Sequence, residues 1–161
     1  MKNDITFRFA TQADTKLILS FIKALADYEK MSDKVVATEE FLHEWIFEKE
    51  KTEVIFALKD NKEIGFALFF YNFSTFLGRA GIYLEDLFVL PEYRGQGYGR
   101  QILRHLAKLA VDRGCGRLEW QCLDWNKPSI AFYLSLKAVP KNEWTVYSLE
   151  GDTLQNLAKD D

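Results

Sequence analysis

The feature that most constrains the fold is an apolar run that ends at a proline and leads, through a glycine-rich turn, into an amphipathic segment. Residues 82–90 are apolar on both faces apart from two acids, a pattern typical of a strand in the middle of a sheet. Pro91 ends this strand. From Gly99 to Arg113, apolar residues recur at helical spacing opposite a charged stripe. The sequence therefore predicts a buried strand, a glycine turn and a helix in direct succession.

The rest of the chain supplies the other strands and helices. Further strands are predicted at 5–9, 53–59, 63–71, 117–123 and 144–149, with a hairpin turn at 60–62. Helices are predicted after Thr11 to about residue 29, from Thr38, from Pro128 to 136, and from Asp152. This order predicts one mixed α/β domain over residues 1–161.

Composition and charge restrict the class of protein. A chain of 161 residues suits one domain, and a net charge of −3 argues against nucleic acid or an anionic membrane as the main partner. Cys115 and Cys122 form no CxxC pair and lack a matching histidine cluster, so we expect no metal and a reduced, cytoplasmic chain. The sequence starts without an apolar leader, and its longest apolar run, 66–71, is too short to span a bilayer.

The glycine turn, Arg94 to Gly99, can bind an anion. Glycines let the backbone approach a ligand closely, and the first turn of a helix has free N–H groups and a partial positive charge. These features favour phosphate, and Arg94 and Arg100 add positive charge at the rim. The segment lacks both the GK[ST] of a P-loop and the spacing of GxGxxG. From spacing alone, a plain turn between a strand and a helix explains the glycines equally well.

The two acids of the buried strand, Glu85 and Asp86, are adjacent, so regular alternation places them on opposite faces. Glu85 then shares a face with Tyr83, Leu87 and Val89, and Asp86 shares one with Leu84 and Phe88. A carboxylate on an apolar face is desolvated, which raises its pKa toward the range of a general base. Each acid alone is also explained as a buried carboxylate held by a neighbouring amide or arginine.

A third stretch, residues 124–133, carries polar groups where a strand passes into a helix. Asn126 and Ser129 lie at this junction of strand and helix. Tyr133 lies about one turn into the helix, facing back toward the loop. A tyrosine hydroxyl can donate a proton to a leaving group, although an isolated tyrosine is also an ordinary core residue. His43 and His105 are expected on the surface and on a solvated helix face, without a catalytic role.

Together, these stretches resemble the GNAT acetyltransferase superfamily. Arg94, Gly97 and Gly99 match its cofactor signature, and Asn126 and Tyr133 look like its late asparagine and helix tyrosine. Nearly the whole chain, from about residue 7, more closely resembles the diamine acetyltransferases, the spermidine/spermine and thialysine group. The matching segments are LADYEKM at 25–31, YLEDLFV at 83–89, YRGQGYG at 93–99 and WNKPSIAFY at 125–133.

The resemblance implies a single GNAT domain with a mixed, mostly antiparallel sheet whose central strands splay apart and are flanked by helices. Acetyl-CoA is the implied cofactor, with its pantetheine arm between the strands that end at Val89 and Leu123. The residues that the resemblance assigns to the cofactor are Leu87, Phe88, Val89, Arg94, Gly95, Gln96, Gly97, Tyr98, Gly99, Arg100, Asn126, Lys127, Pro128 and Ser129.

The resemblance also implies direct transfer to a primary amine in a ternary complex. Glu85 would take the ammonium proton through water, and Tyr133 would protonate the departing thiolate. A backbone N–H near Leu87 or Phe88 would stabilise the oxyanion. Contacts to the amine are assigned to Tyr28, Glu29, Glu85, Glu119, Trp120, Gln121 and, more loosely, Glu143. A homodimer is implied, in which acceptor residues can be shared across subunits.

The acceptor side departs from the pattern of the resembled group. No glycine follows the helix tyrosine within residues 134–139, and the loop at 73–81 differs in length and lacks a tryptophan. The identity of the acceptor therefore stays open: it is either a small diamine, polyamine or lysine-like amine, or an aminoglycoside-like or protein amine. A non-catalytic acyl-CoA-binding sensor is the alternative from a different class, and the presence of both Glu85 and Tyr133 speaks against it.

Overall fold

The computed structural model describes residues 4–159. The chain divides into two compact units, residues 1–121 and residues 122–161. The strands of the first unit are β1 (Thr6–Phe9), β2 (Glu53–Lys59), β3 (Lys62–Ser74), β4 (Arg79–Val89) and β5 (Leu118–Trp120). Its helices are α1 (Thr15–Tyr28), α2 (Glu39–Leu42) and α3 (Tyr98–Asp112), and the second unit contains α4 (Lys127–Ser135) and α5 (Gly151–Lys159).

The five strands form one mixed sheet in the order β1-β2-β3-β4-β5. Neighbouring strands are antiparallel except β4 and β5, which are parallel. Strand β5 pairs only with Ile82, Tyr83 and Leu84, whereas β4 continues to Val89. Strand β5 therefore ends beside Leu84 and β4 continues without it. The predicted mixed, mostly antiparallel sheet is confirmed.

Local sequence explains how the sheet is joined to its first helix. Asp60 and Asn61 both have positive φ angles, 50° and 63°, and form the two-residue turn of the predicted β2–β3 hairpin. Before α1, the Thr11 N–H donates to the Asp14 carboxylate at 2.7 Å. Arg8 of β1 forms ion pairs at 2.8 Å with both Asp14 and Glu63. The Arg8 contact, together with the Thr11 bonds, lowers the pKa of Asp14 to about 2.

One face of the sheet packs against α1 through an apolar core. Buried members of this core are Ile18, Phe21, Ile46, Val54, Phe56, Phe66, Leu68 and Phe88. The Phe21 ring stacks on Phe66 with a centroid distance of 5.2 Å. Such aromatic pairs contribute about 1 kcal/mol beyond the apolar area that they bury. This core fixes the position of α1, and therefore of its C-terminal end, relative to β4.

The opposite face packs against α3, whose residues Ile102, Leu103, Leu106 and Ala110 are buried. His105 stacks on Phe7 of β1 with a centroid distance of 4.0 Å. Burial, followed by the charge of Lys108, lowers the pKa of His105. The expectation that His105 lies on the solvated face of the helix was wrong, because the imidazole packs against the sheet.

Several predicted boundaries differ from the structure. Helix α2 gives way to a π-helical segment at 43–48, and β5 ends at Trp120 instead of Leu123. The predicted strand at 144–149 is not a strand, and its side chains are exposed, Trp144 by 79% and Tyr147 by 92%. Alternation alone cannot make a strand, because a strand also needs a neighbour to pair with. The terminal helix is confirmed as α5.

Strand β4 carries a β-bulge at Glu85. Leu68 of β3 lies opposite Asp86, whereas the next residue, Phe69, lies opposite Leu84, so Glu85 has no partner in β3. A bulge interrupts alternation. Asp86 therefore shares its face with Leu68 of the core under α1, and Leu84 belongs to the other face. The expected common face of Asp86 and Leu84 was wrong for this reason.

Candidate active site

The glycine loop before α3 has the geometry of an anion site. Gly95 and Gly97 have φ angles of 75° and 84°, in the left-handed region that favours glycine. The first N–H of α3 that bonds back into the loop is that of Gln101, which donates to the Gly97 carbonyl at 3.2 Å. The N–H groups of the preceding turn lack intrahelical acceptors and face outward with the positive end of the helix dipole.

The surroundings of the loop leave room for a ligand. A Cβ atom placed on Gly95 or on Gly99 would meet no atom within 4 Å among residues 4–159, apart from its own chain neighbours and the adjoining helix backbone. Gln96 and Arg100 are exposed, whereas Tyr98 is buried and its hydroxyl donates to Asp4 at 2.9 Å. The loop therefore combines a fixed helix start with open space beside its backbone, which fits a diphosphate.

The end of β4 presents main chain on the side away from β3. Residues 87–89 pair with β3 along one edge, and β5 does not extend far enough to pair with the other edge. Unpaired strand edges offer N–H and C=O groups to an extended ligand. The Val89 carbonyl is already engaged, because it accepts a hydrogen bond from Arg94 Nε at 2.9 Å.

Three carboxylates gather where the bulge of β4 meets the end of α1. Glu29 is the C-terminal cap of α1, Glu85 is the exposed bulge residue, and Asp86 is half-buried. Burial, and then the charges of Glu85 and Glu29, raise the pKa of Asp86 to about 7. Burial also raises the pKa of Glu29. Within residues 4–159, no side chain forms an ion pair or hydrogen bond with any of these carboxylates, so no cation of the described chain compensates them. We call these residues, Glu29, Glu85 and Asp86, the acid cluster.

The predicted ring of the acceptor site, Tyr28, lies next to the acid cluster in sequence and contacts the glycine loop. It ends α1, and the Arg94 guanidinium lies 4.7 Å from the centre of its ring. The same guanidinium lies 4.8 Å from the centre of the Phe88 ring. The structure thus brings Tyr28 together with the start of the predicted cofactor loop.

The predicted acceptor residues of β5 have partners in the sheet. Glu119 forms an ion pair with Arg117 at 2.9 Å and accepts a hydrogen bond from Asn72 at 3.0 Å. Gln121 hydrogen-bonds the Tyr83 hydroxyl, and Trp120 is half-buried at the end of β5. The Glu119 carboxylate therefore differs from those of the acid cluster, because a protein cation already balances it.

The second unit carries the remaining predicted residues. Asn126 is 8% exposed and caps α4, its Oδ1 accepting from the Ser129 N–H at 3.4 Å. Lys127 and Pro128 form the exposed first turn of α4. Tyr133 is half-buried in α4 with its ring centroid 5.5 Å from that of Phe132, and Glu143 is exposed.

Other candidate chemistry is limited. His43 is partly exposed and lies 3.2 Å from Glu48, as a surface residue would. Among residues 4–159, no group of His, Cys, Asp or Glu side chains has the arrangement of a metal site. None of the helices within this range is long and apolar enough to cross a membrane.

Sequence reasoning missed two features of the site. One partner of Arg94, Tyr28, is distant in sequence, and the other, Val89, is near it. No local sequence pattern predicts both contacts. The desolvation of Asp86 depends on the packing of α1 over the face that Asp86 shares with Phe88, which the sequence of the strand does not show. The adjacent acids in an apolar strand were the available signal, but they could not show which acid is buried.

Comparisons with known proteins identify the family of the chain. Residues 19–137 match the model of the Acetyltransferase (GNAT) family. Thialysine N-epsilon-acetyltransferase from Bos taurus is 37% identical over 96% of this chain and 97% of its own. L-Ornithine N5-acetyltransferase from Arabidopsis thaliana is 43% identical over 63% of this chain and 45% of its own. An integron cassette protein from the mobile metagenome of V. cholerae superposes with a TM-score of 0.81 and 30% identity, covering 99% of this chain and 100% of that protein. The chain belongs to the GNAT acetyltransferase family.

Proposed function

We propose that this chain transfers the acetyl group of acetyl-CoA to a primary amine of a small diamine, polyamine or lysine-like substrate. The observation that carries the proposal is the acid cluster of Glu29, Glu85 and Asp86, which has no compensating cation among the described residues. Burial of carboxylates without a partner is unfavourable unless a cation arrives. An aliphatic ammonium group supplies that cation, and Tyr28 beside the cluster adds an aromatic face for it.

Two relatives support this choice of acceptor. The bovine relative is named for thialysine and the Arabidopsis relative for L-ornithine, and both names specify acetylation of a side-chain amine. An acid cluster at the end of one helix is small, which fits a short alkyl amine better than a large polycationic surface. An aminoglycoside-like or protein amine remains the alternative enzyme function.

Acetyl-CoA is the co-substrate of GNAT acetyltransferases and supplies an acetyl group activated as a thioester. We assign its diphosphate to the N–H groups of residues 95–100, because the loop is open beside Gly95 and Gly99. We assign its pantetheine arm to the free edge of Leu87, Phe88 and Val89. Asn126 to Ser129 are the proposed second cofactor contact, and their capped helix start presents N–H groups.

The proposed mechanism divides proton movements between the acid cluster and Tyr133. Glu85 accepts the proton of the acceptor ammonium through water, and Asp86, with a pKa of about 7, can hold a proton near neutrality. The main-chain N–H near Leu87 or Phe88 donates to the acetyl oxygen as negative charge develops there. Tyr133 gives its hydroxyl proton to the sulfur that leaves.

The assembly and location of the protein are also proposals. A single functional domain over residues 1–161 and a homodimer follow from the resemblance to diamine acetyltransferases, and a cytoplasmic location follows from the two cysteines, Cys115 and Cys122. The exposed apolar side chains of the second unit, including Trp144 (79%), Val146 (76%) and Tyr147 (92%), support a partner surface. Monomeric soluble proteins rarely expose large contiguous apolar areas.

A panel of amines with acetyl-CoA, followed by thiol release, tests the function. We expect turnover with ornithine, lysine analogues or short diamines, and a Tyr133→Phe variant should lose kcat about 100-fold or more without a matching rise in KM. Tyr147→Phe removes the same hydroxyl from an exposed tyrosine of the same unit and should leave kcat unchanged.

The outcomes separate the alternatives. Turnover only with aminoglycosides or peptides would move the acceptor to the other enzyme function. Binding of acetyl-CoA without turnover of any amine would favour a sensor. Wild-type activity in Tyr133→Phe would remove Tyr133 from the mechanism.

A further inference from the structure

Arg94 begins the glycine loop, yet its side chain is engaged within the protein. Its Nε donates to the Val89 carbonyl at 2.9 Å, at the end of β4. Its Cζ lies 4.7 Å from the ring centre of Tyr28 and 4.8 Å from that of Phe88. One guanidinium therefore contacts the last residue of α1 and the last two residues of β4, while the Arg94 backbone begins the loop that we assign to the diphosphate.

The two rings differ in their exposure to solvent. Phe88 is 4% exposed and belongs to the core under α1, so its position is fixed. Tyr28 is 39% exposed at the end of α1, and the Arg94 guanidinium is one of its contacts. Arg94 thus connects the ring of Tyr28 to Phe88 and to the Val89 carbonyl. Glu29 of the acid cluster is the next residue along the chain.

Arginine suits this arrangement for reasons of shape. Its planar guanidinium can stack on aromatic rings and donate hydrogen bonds in its own plane at the same time. A lysine ammonium is a point charge on a flexible stem and has no flat face to stack on two rings. Arg94 and Arg100 are both exposed, but Arg100, in the first turn of α3, has no hydrogen bond or ring contact to any other residue within 4–159.

We propose that Arg94 is a positioning residue, which holds the ring of Tyr28 in place for the amine, and that Arg100 is the side chain that attracts the cofactor phosphates. The inference rests on the proposed function, because only there is Tyr28 a contact of the amine. It reassigns Arg94, which the sequence signature grouped with the cofactor residues.

Titration calorimetry on the full chain, with CoA and with an accepted diamine as separate ligands, tests the division of roles. Arg94→Met should weaken diamine binding about tenfold and change the Kd of CoA less than about twofold, since one good ring contact corresponds to about a factor of ten. Arg100→Met should do the reverse and also reduce the salt dependence of CoA binding. Steady-state kinetics should show the Arg94→Met loss mainly in the KM of the amine.

Two further variants make the test specific. Arg94→Lys keeps the charge, and it should resemble Arg94→Met if shape is what matters. In a double variant with Tyr28→Leu, the loss of diamine affinity should not exceed that of the larger single loss, because both changes remove the same contact.

Several results would overturn the inference. A tenfold weaker Kd for CoA in Arg94→Met with unchanged diamine binding would make Arg94 a phosphate ligand. Recovery of diamine binding by Arg94→Lys, or additive losses with Tyr28→Leu, would exclude a stacked contact. If the wild-type protein binds CoA but no diamine, the role of Arg94 toward the amine is refuted and the cofactor part of the proposed function stands. If it binds no CoA, the proposed function itself fails.

Discussion

Replacement of Asp86 by asparagine should stabilise the protein, and the size of the effect should depend on pH. The folded protein raises the pKa of Asp86 from 3.8 to about 7, through burial and then the charges of Glu85 and Glu29. Below pH 4 the carboxyl is protonated in both the native and the unfolded state, and it adds no penalty. Between pH 4 and 7 the unfolded carboxyl ionises while the native one keeps its proton, so the free energy of unfolding falls as pH rises. Above pH 7 the carboxyl is ionised in both states, and the full decrease in the free energy of unfolding remains.

The magnitude follows from the same pKa values. The difference between 3.8 and about 7 corresponds to about 4 kcal/mol, and residual hydration of a half-buried group lowers this limit. We therefore expect Asp86→Asn to raise the free energy of unfolding at pH 8 by about 2 to 4 kcal/mol, and at pH 4 by less than about 1 kcal/mol. Urea unfolding at both pH values, followed by tryptophan fluorescence, measures the difference.

A matched variant controls for the loss of an acid as such. Glu92→Gln makes the same chemical change at an exposed turn residue, and it should leave the difference between the two pH values as in the wild type. Equal effects of Asp86→Asn at pH 4 and pH 8 would refute the reasoning. An Asp86→Asn variant that is less stable than the wild type at pH 8 would also refute the reasoning.

Four further predictions concern the site and the core. The KM for the amine should fall as pH rises from 6 to 8, because ionised Asp86 attracts the ammonium, and the Asp86→Asn variant should lose this slope in the same kinetic assay. Gly65→Ala should lower stability by about 1 to 3 kcal/mol in urea unfolding, because its Cβ would lie 2.8 Å from the Phe88 carbonyl oxygen; an unchanged midpoint would contradict this contact. Gly99→Ala should leave stability unchanged, since its Cβ meets open space. It should weaken CoA binding in calorimetry, because the added methyl group obstructs access to the loop backbone; unaltered affinity would argue against the loop as the diphosphate site. Phe21→Ala should cost about 3 to 5 kcal/mol of unfolding free energy, and a loss below 1 kcal/mol would show that the core under α1 relaxes freely.

Much of the candidate site could be predicted because local rules govern it. The glycine loop and α3 are recognisable from a buried strand, a proline, three glycines and helical spacing in succession, and the structure differs from the predicted helix by one residue at each end. The hairpin turn at Asp60 and Asn61 follows from residues that tolerate positive φ. The cap on α4 follows from Asn126 three residues before Ser129. Each of these features depends on residues that are neighbours in the chain.

Other parts depend on which segments meet in space. The sequence alone determined the family resemblance, the strand that carries the acids and the loop that starts α3. Only the tertiary structure decided that α1 covers the face of Asp86 and that a bulge moves Leu84 to the other face, because both depend on packing and pairing with other segments. The same holds for Arg94, whose partners Tyr28 and Phe88 come together only when α1 packs on the sheet. The segment at 144–149 shows the reverse case, since it alternates like a strand but the structure gives it no strand pairing. Pairing and burial are properties of two surfaces in contact, so a one-dimensional pattern can suggest them but cannot fix them.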